Sequence, residues 1–311
     1  MTTLVTGGLG YLGSQLLRNL ADCPGVADGR IRILDSLQRP RHHVLWDLPA
    51  AGDYEFVHGD VRDAETVAES MDGVDAVIHL AAITNAARST EIPEQTRAVN
   101  RDGALTVFEA AREAGVEDFV YASTVSVYGT TDGTADETAE TDPASPYAAA
   151  KRDAERAILD RAEGAALTAT ALRFGTVHGW SAGMRFDTIP TEFAFAAATG
   201  KPLQVYEFEA LGARYRPLVH VGDAARAMRF ALTALDGGVY NVVGENATVA
   251  EIAETVAAVV PETTVERVAV ADDAARSCRA DGGKLARAGF TTRYGLVDGI
   301  EEIVERFGRV R

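Results

Sequence analysis

Short apolar runs alternate with amphipathic segments of helical periodicity through more than half of this chain. Runs rich in Val, Ile and Leu predict strands at Thr3–Thr6, Ile31–Leu34, Tyr54–His58, Ala76–Leu80, Phe119–Ser123 and Thr168–Arg173. Helical patterns fall between them at Tyr11–Asn19, Ala64–Met71, Val99–Ala114 and Tyr147–Arg161. Such alternation is typical of a parallel sheet covered by helices on both faces. We therefore predict an α/β fold with a doubly wound parallel sheet.

The rhythm changes after residue 175. Residues 176–216 and 245–311 mix glycines and aromatic residues with helical patterns at Thr188–Thr199 and Val249–Val259. Between them, Pro217–Val221 and Val239–Val243 resemble strands that return to the sheet. We therefore predict a nucleotide-binding domain of residues 1–175 and 217–244. A smaller, discontinuous C-terminal substrate domain would comprise residues 176–216 and 245–311.

Composition restricts the partners. The 311 residues carry a formal charge of −16, which argues against nucleic acid or an anionic membrane as the main partner. Lys151, Lys201 and Lys284 are the lysines, and the other basic side chains are arginines. An acidic, lysine-poor surface suits a salt-rich cytoplasm, although a GC-rich genome would also favour Arg over Lys.

Location and metal content follow from simpler observations. No apolar run approaches the roughly 20 residues of a membrane span. Because a strand begins at Thr3, we expect no signal peptide and a cytoplasmic location. Cys23 and Cys278 lie far apart and are expected to be reduced thiols. No group of His, Cys and Asp has metal-ligand spacing, so no metal is predicted.

Three glycines, Gly7, Gly10 and Gly13, lie between the first predicted strand and the first helix, with Tyr11 and Leu12 among them. Glycines at this spacing permit a tight turn and let backbone N–H groups approach a pyrophosphate at a helix N-terminus. A glycine turn alone can serve only to change chain direction. Its position between strand and helix favours a dinucleotide site.

Asp35 ends the second predicted strand, about twenty residues beyond the glycines. A carboxylate there can accept hydrogen bonds from ribose hydroxyls and would repel a 2′-phosphate. Arg39 and Arg41 lie nearby and could instead receive that phosphate, or be solvated loop charges. Since Asp35 occupies the strand end itself, we predict NAD rather than NADP.

Two further strand ends complete the predicted cofactor site. Asp60 and Val61 follow the third strand and could flank an adenine ring, while Asp60 or Asp63 could also cap the next helix. The fourth strand ends in small or apolar residues that let the backbone approach a cofactor: Leu80, Ala81 and Ala82.

Tyr147 and Lys151 begin a helix and share one of its faces, because residues four apart are neighbours there. A free phenol has a pKa near 10, and a nearby ammonium would lower that value toward the working range of a base. An isolated pair at this spacing is otherwise a surface contact. Ser123 and Thr124, at the end of the fifth strand, add hydroxyls that could hold a substrate oxygen.

Together these motifs resemble the extended short-chain dehydrogenases/reductases of the nucleotide-sugar epimerase/dehydratase kind, similar to UDP-glucose 4-epimerases. The resemblance rests on Thr6–Gly13, Asp60–Asp63, His79–Ala82, Asn100, Ser123–Thr124, Val127–Gly129 and Tyr147–Lys151. It implies a Rossmann-type sheet, NAD as cofactor with Asn100 in its site, and a homodimer formed by helices near Ala98–Ala114 and Tyr147–Ala162. It also implies that Thr124 is the catalytic hydroxyl and Tyr147 the acid/base. Lys151 would bind the nicotinamide ribose and lower the pKa of Tyr147.

The resemblance also separates possible reactions. Dehydratases of this family carry an Asp-Glu pair directly after that threonine, where this chain has Val125 and Ser126. Neither side chain can act as a general acid, so dehydration is disfavoured. An NAD-dependent epimerase, acting at C4 of a UDP-hexose, is our first hypothesis. A sugar dehydrogenase or ketoreductase is the alternative, followed by a non-catalytic protein that binds NAD(H).

The substrate side offers fewer signals. Thr176 stands where many family members have a substrate-binding Asn, and Arg216 matches an arginine that often binds the substrate diphosphate. Arg276 lies where a second such arginine is common, although both arginines could equally be surface charges. His178 and His220 lie beside apolar, strand-like residues and are expected to be packed and hydrogen-bonded rather than catalytic.

Overall fold

The computed structural model describes residues 1–21, 29–208, 214–270 and 277–308. In chain order the strands are β1 (Thr3–Thr6), β2 (Arg30–Asp35), β3 (Asp53–His58), β4 (Ala76–His79), β5 (Asp118–Thr124), β6 (Thr134–Ala135), β7 (Thr168–Phe174), β8 (Thr176–His178), β9 (Leu203–Phe208), β10 (Tyr215–His220), β11 (Gly238–Val242), β12 (Glu245–Thr248), β13 (Val265–Val270) and β14 (Arg279–Ala280). The helices are α1 (Tyr11–Ala21), α2 (His43–Trp46), α3 (Ala64–Glu69), α4 (Ala86–Glu91), α5 (Pro93–Arg97), α6 (Ala104–Ala114), α7 (Pro146–Ala162), α8 (Ile189–Ala198), α9 (Val221–Ala234), α10 (Val249–Val259), α11 (Gly283–Arg287) and α12 (Leu296–Phe307). A π-helical turn, Ala98–Gly103, precedes α6, and a 3₁₀ turn, Val125–Tyr128, follows β5.

The central sheet contains seven parallel strands in the order β11-β7-β5-β4-β1-β2-β3. The chain moves outward from β1 to β3 on one side and from β4 to β11 on the other, so the winding reverses between β1 and β4. Ligands of such sheets bind at the carboxyl ends of the strands, beside this reversal. The predicted Rossmann-type doubly wound sheet is confirmed.

Both faces of the central sheet are covered, which explains its continuous apolar runs. Every residue of β1 and β4 is buried. On one face, Leu16 and Leu17 of α1 pack in the same cluster as Met228 of α9. On the other face, Phe108 of α6 meets Phe119 of β5 edge to face, with ring centroids 5.2 Å apart. This packing fixes the strand ends that form the site.

One predicted strand lies elsewhere. β11 joins the central sheet beside β7 as expected, but β10 does not return to it. Instead β10 pairs in parallel with β8 and antiparallel with β12, in a separate three-stranded sheet. The prediction for Pro217–Val221 is therefore wrong, because β11 occupies the edge of β7 that β10 would need. The division of the chain into two domains at the predicted boundaries stays a proposal.

The C-terminal region has a core of its own. Phe193 of α8, Ile252 of α10 and Ile300 of α12 belong to one buried cluster, against which the β10 residue Leu218 also packs. β9 and β13 form a two-stranded parallel sheet beside it. Within the described ranges, no helix combines the length and apolar character that crossing a membrane requires.

Candidate active site

A cleft of about 650 Å³ opens at the carboxyl ends of the central strands. Most residues that the sequence assigns to a site line this cleft: Gly7, Gly10, Tyr11, Leu12, Asp35, Asp60, Val61, Leu80, Ala81, Ala82, Ser123, Thr124, Tyr147, Lys151, Thr176 and Arg216. Asn100 lies behind the cleft wall. Arg276 lies outside the described residues. The structure thus brings together groups from every part of the predicted site.

The glycine turn after β1 is too crowded for other residues. Gly7 has a φ of +67°, and a Cβ there would lie 2.6 Å from the backbone nitrogen of Ala81, at the end of β4. A Cβ on Gly13 would lie 2.4 Å from the carbonyl oxygen of Gly8. The turn therefore brings the ends of β1 and β4 and the first turn of α1 into direct backbone contact. This geometry fits the pyrophosphate of a dinucleotide.

Asp35 lies beside this turn. One oxygen of its carboxylate accepts from the backbone N–H of Leu9 at 3.0 Å, and the other accepts from that of Leu37 at 2.9 Å. Arg39 and Arg41 also line the cleft, and the guanidinium of Arg41 donates to the carbonyl oxygen of Met184 at 3.2 Å. A fixed carboxylate at the end of β2 fits an adenosine ribose with a free 2′-hydroxyl.

Asp60 and Asp63, the two aspartates in the turn after β3, have different surroundings. Asp63 is the N-cap of α3 and accepts from the backbone of Glu65. Asp60 lines the cleft, and its pairing with Arg62 at 2.6 Å lowers the pKa of Asp60. The capping alternative thus belongs to Asp63, while Asp60 and Val61 remain candidates for cofactor contacts.

Asn100 supports the wall rather than lining it. It lies in the π-helical turn before α6 and is fully buried. Its side-chain oxygen accepts from the backbone N–H of Ile83 at 2.7 Å, and its amide donates to the carbonyl oxygen of Ile83 at 2.8 Å. Asn100 therefore fixes the backbone after β4, where the cleft wall continues.

Tyr147 lies in the first turn of α7, which Ser145 caps and Pro146 begins. Burial raises the pKa of Tyr147, while a hydrogen bond with Thr124 and the charge of Arg185 act to lower it. The hydroxyl of Thr124 also accepts from the backbone N–H of Ser126 at 3.2 Å. The phenol and the hydroxyl of Thr124 are therefore adjacent in the cleft, as the sequence predicted.

The effect predicted for Lys151 on the pKa of Tyr147 differs from the structure. The ammonium of Lys151 donates to the carbonyl oxygen of Ala122 at 2.8 Å and lies 4.7 Å from the ring centroid of Tyr121. Burial lowers the pKa of Lys151 to about 7. Among the chain's own groups, burial rather than Lys151 dominates the pKa of Tyr147 and raises it. In the chain alone the pKa of Tyr147 is thus raised rather than lowered, because helical spacing does not reveal desolvation, and the role of Lys151 beside a bound cofactor stays a prediction.

A buried polar network behind the cleft escaped the sequence analysis. Ser123 donates to Glu155 at 2.5 Å, and Glu155 forms an ion pair with Arg173 at 2.5 Å. Arg173 also donates to the hydroxyl of Tyr128 at 2.8 Å, which in turn donates to the side chain of Asn241 at 2.8 Å. The proton of Ser123 is thus committed to Glu155, so Ser123 could contact a substrate only as an acceptor.

The spacing of residues on α7 could have revealed one member of this network from the sequence. Glu155 lies four residues after Lys151 and eight after Tyr147, so the three side chains share one face of α7. A carboxylate on that face could have been identified. Its partner Arg173 could not, because the pairing depends on how α7 packs against β7.

The carboxylates of the cleft limit which acid–base chemistry it can support. Among the described residues that line the cleft, they are Asp35, Asp60 and Asp187. Asp187 pairs with Arg185 and accepts from Asn85 at 2.9 Å. Thr124 is followed by Val125, which is buried, and by Ser126. The two positions directly after Thr124 therefore supply no carboxylate to the cleft.

The predicted substrate residues Thr176 and Arg216 both line the cleft. Thr176 is in β8 and Arg216 is in the neighbouring strand β10. Burial lowers the pKa of Arg216 to about 10, with a further contribution from the nearby Arg214. The strands β8 and β10 of the three-stranded sheet thus each contribute a side chain to the cleft.

The two histidines are packed against each other. Neither His178 nor His220 lines the cleft, and their rings meet edge to face with centroids 5.3 Å apart. His220 contacts Glu302 at 3.1 Å and accepts from the backbone of Gly222 at 3.1 Å. Burial lowers the pKa of His178 to about 3, so this ring is neutral. His220 has the hydrogen bonds that were expected, whereas the buried Nδ1 of His178 has no hydrogen-bond partner among the described residues.

Comparison with known proteins gives a consistent result. The model of the NAD dependent epimerase/dehydratase family matches residues 3–243. Low-salt glycan biosynthesis protein Agl12 of Haloferax volcanii is 29% identical over 316 residues, which cover 99% of this chain and 98% of that protein. The UDP-glucose 4-epimerase of Thermus thermophilus, solved in complex with NAD, is 30% identical, with a TM-score of 0.84 and 99% of each chain covered. DesIV, a dTDP-glucose 4,6-dehydratase from Streptomyces venezuelae solved with NAD, is 29% identical, with a TM-score of 0.88 and 100% and 97% of the two chains covered.

Proposed function

The chain belongs to the NAD-dependent epimerase/dehydratase family, and we propose that it is a nucleotide-sugar epimerase. NAD is the cofactor of this family, which confirms the cofactor predicted from the motifs. The proposed reaction inverts C4 of a UDP-hexose by transient oxidation to a ketosugar. The choice of substrate draws on the similar Thermus UDP-glucose 4-epimerase. In the same proposal, Arg216 binds the diphosphate of the nucleotide-sugar.

One observation carries the choice of epimerase over dehydratase. Loss of water from the sugar needs groups that remove and deliver protons besides the acid/base of the oxidation step. The positions after Thr124 hold Val125 and Ser126, and each described carboxylate of the cleft already has partners in the protein. Oxidation and reduction at one carbon need a single proton carrier, and Tyr147 can be that carrier.

In the proposed reaction, Tyr147, Thr124 and Lys151 have separate roles. NAD, when bound, would supply the hydride acceptor and donor for the sugar carbon. Tyr147 takes the proton of the sugar hydroxyl and gives it back, and Thr124 holds the same oxygen by a hydrogen bond. Burial raises the pKa of Tyr147, and the hydrogen bond with Thr124 and the charge of Arg185 offset part of that rise. Lys151, fixed at the carbonyl oxygen of Ala122, would contact the nicotinamide ribose.

The test is a nuclear magnetic resonance time course with the NAD-loaded protein and UDP-galactose or UDP-glucose. We expect the C4 epimer to appear without a 4-keto-6-deoxy sugar and without accumulation of reduced cofactor in the absorbance. A sugar dehydrogenase would instead accumulate NADH, and a dehydratase would form the keto-deoxy product. No change in any nucleotide-sugar, with NAD bound, would favour the non-catalytic alternative.

A further inference from the structure

Arg185 is a largely buried cation of the cleft whose two terminal nitrogens are open to it. Arg185 lies between β8 and α8, lines the cleft, and has a side chain that is 15% exposed. Its Nε donates to one oxygen of Asp187, and the other oxygen of Asp187 accepts from Asn85 at 2.9 Å. Within the described ranges, no residue accepts a hydrogen bond from the terminal nitrogens of Arg185. The end of the guanidinium can therefore bind two acceptor oxygens of another molecule.

A chain of contacts connects Arg185 to the backbone of Tyr147. Asn85, which holds Asp187, is the N-cap of α4, and Ser89 in the same helix accepts from the backbone N–H of Tyr147 at 3.2 Å. The four residues from Asn85 to Ser89 correspond to a rise of about 6 Å along a helix. Burial raises the pKa of Tyr147, and the charge of Arg185 is one of two influences that lower it. The guanidinium is thus held within electrostatic range of the hydroxyl that would exchange a proton with the sugar.

The cleft is more basic than the protein as a whole. The chain has a formal charge of −16, yet more arginines than aspartates line the cleft. In the described part of the chain these residues are Arg39, Arg41, Arg88, Arg185 and Arg216, against Asp35, Asp60 and Asp187. The diphosphate of a nucleotide-sugar accounts for Arg216 under the proposed function. It does not account for a cation near Tyr147, where an uncharged hexose offers only hydroxyl groups, which bind a guanidinium more weakly than a carboxylate does.

We propose that Arg185 selects a sugar with a carboxylate at C6, so that the preferred substrate is a nucleotide-linked hexuronic acid. This inference rests on the proposed function, because that function brings C4 of the sugar to Tyr147. C6 is attached to C5, the ring neighbour of C4, so a carboxylate at C6 lies at the same end of the sugar as the reacting hydroxyl. The terminal nitrogens of Arg185 bind the two carboxylate oxygens, while Asp187 and Asn85 keep the guanidinium in place.

The first measurement compares UDP-glucuronate with UDP-glucose on the native, NAD-loaded protein. Formation of each C4 epimer is followed by nuclear magnetic resonance, and binding of each nucleotide-sugar is measured by calorimetric titration. We expect kcat/KM for UDP-glucuronate to exceed that for UDP-glucose by at least about tenfold, because a hydrogen bond between charged groups contributes a factor of that size. A value for UDP-glucose that equals or exceeds the value for UDP-glucuronate would overturn the inference without any variant.

Two variants then assign the preference to one arginine. Arg185→Gln should abolish it, measured as the ratio of the two kcat/KM values, so that any effect of Arg185 on the pKa of Tyr147 cancels. Arg216→Gln is the matched control, since it makes the same substitution in the same cleft. Both nucleotide-sugars carry the diphosphate that Arg216 is proposed to bind, so this variant should weaken both and leave the ratio unchanged. A preference that survives in Arg185→Gln, or disappears equally in Arg216→Gln, would overturn the inference.

Failure of this inference can be distinguished from failure of the proposed function. Epimerisation of UDP-glucose with no preference for UDP-glucuronate would keep the epimerase and reject the selection by Arg185. If neither sugar is epimerised, tighter binding of UDP-glucuronate that Arg185→Gln abolishes would reject the epimerase and keep the carboxylate site. Equal binding of the two nucleotide-sugars without any epimer would reject both.

Discussion

Replacing Lys151 with methionine should stabilise the NAD-free protein, and most strongly at and below neutral pH. Lys151 is only 2% exposed, and burial lowers its pKa from 10.5 to about 7. Below about pH 7 the native and unfolded chains both carry the ammonium, so the full cost of burying it is present. Above that pH the native lysine is neutral while the unfolded lysine still binds a proton. The contribution of Lys151 to the free energy of unfolding therefore rises with pH between about 7 and about 10.5.

The size of the effect follows from this pKa difference. The values of 10.5 and about 7 differ by about 3.5, and each pKa unit corresponds to about 1.36 kcal/mol, so the cost is about 5 kcal/mol at neutral pH. At about pH 9 the pH is only about 1.5 units below the pKa of the unfolded lysine, so the cost of burying Lys151 falls to about 2 kcal/mol. Methionine removes this cost but leaves the carbonyl oxygen of Ala122 without its donor, a loss of about 1–3 kcal/mol at every pH. The advantage of the variant should thus shrink by about 3 kcal/mol between about pH 7 and about pH 9.

Urea unfolding of the native protein and Lys151→Met at a series of pH values measures this change. Lys201→Met is the control, because Lys201 is exposed and removing it should leave a difference that hardly depends on pH. Parallel stability curves for the native protein and Lys151→Met would refute the reasoning, since they would mean that the native lysine keeps an ordinary pKa. A stabilised variant without turnover would show that this lysine is kept for function at the expense of stability.

Three further predictions concern catalysis, cofactor choice and assembly. Tyr147→Phe should lower kcat by roughly 10²–10⁴-fold while NAD binding by titration stays nearly unchanged, and ordinary turnover in this variant would remove Tyr147 from the mechanism. Asp35→Ala should narrow the preference for NAD over NADP in binding titrations, because the carboxylate that repels a 2′-phosphate is gone; tighter NADP binding by the native protein would contradict this. Light scattering at high salt should give the mass of two chains, as expected from pairing of α6 and α7, and a monomer would exclude that pairing.

The parts of the fold that follow from local pattern could be predicted from the sequence. β1 was predicted at Thr3–Thr6 and α10 at Val249–Val259, with the bounds that the structure has. Buried parallel strands are continuous apolar runs, and the glycine turn marks where the first of them ends. That Thr124 and Tyr147 share a site was implied by the family resemblance rather than by local pattern.

Features that depend on distant parts of the chain could not be predicted in this way. The apolar run of β10 looks like a central strand, but its partners are decided by β11, which already occupies the edge of β7. The expected helix Val99–Ala114 contains a π-helical turn that turns Asn100 toward the backbone of Ile83. Its sequence carries no mark of the extra residue in that turn.

The face of α7 explains why Glu155 adds no free carboxylate to the cleft beside Tyr147. Tyr147, Lys151 and Glu155 follow one another at intervals of four, yet their surroundings differ. Tyr147 reaches the cleft beside Thr124, whereas Glu155 is 1% exposed and bound by Arg173 and Ser123. Separating a buried ion pair costs about 3–5 kcal/mol, so Glu155 cannot leave Arg173 to serve a substrate. The one carboxylate that this face brings toward the end of β5 therefore holds α7 against β5 and β7. Under the proposed function, proton transfer in the cleft would be left to Tyr147, which would suffice for oxidation and return at one carbon and not for loss of water.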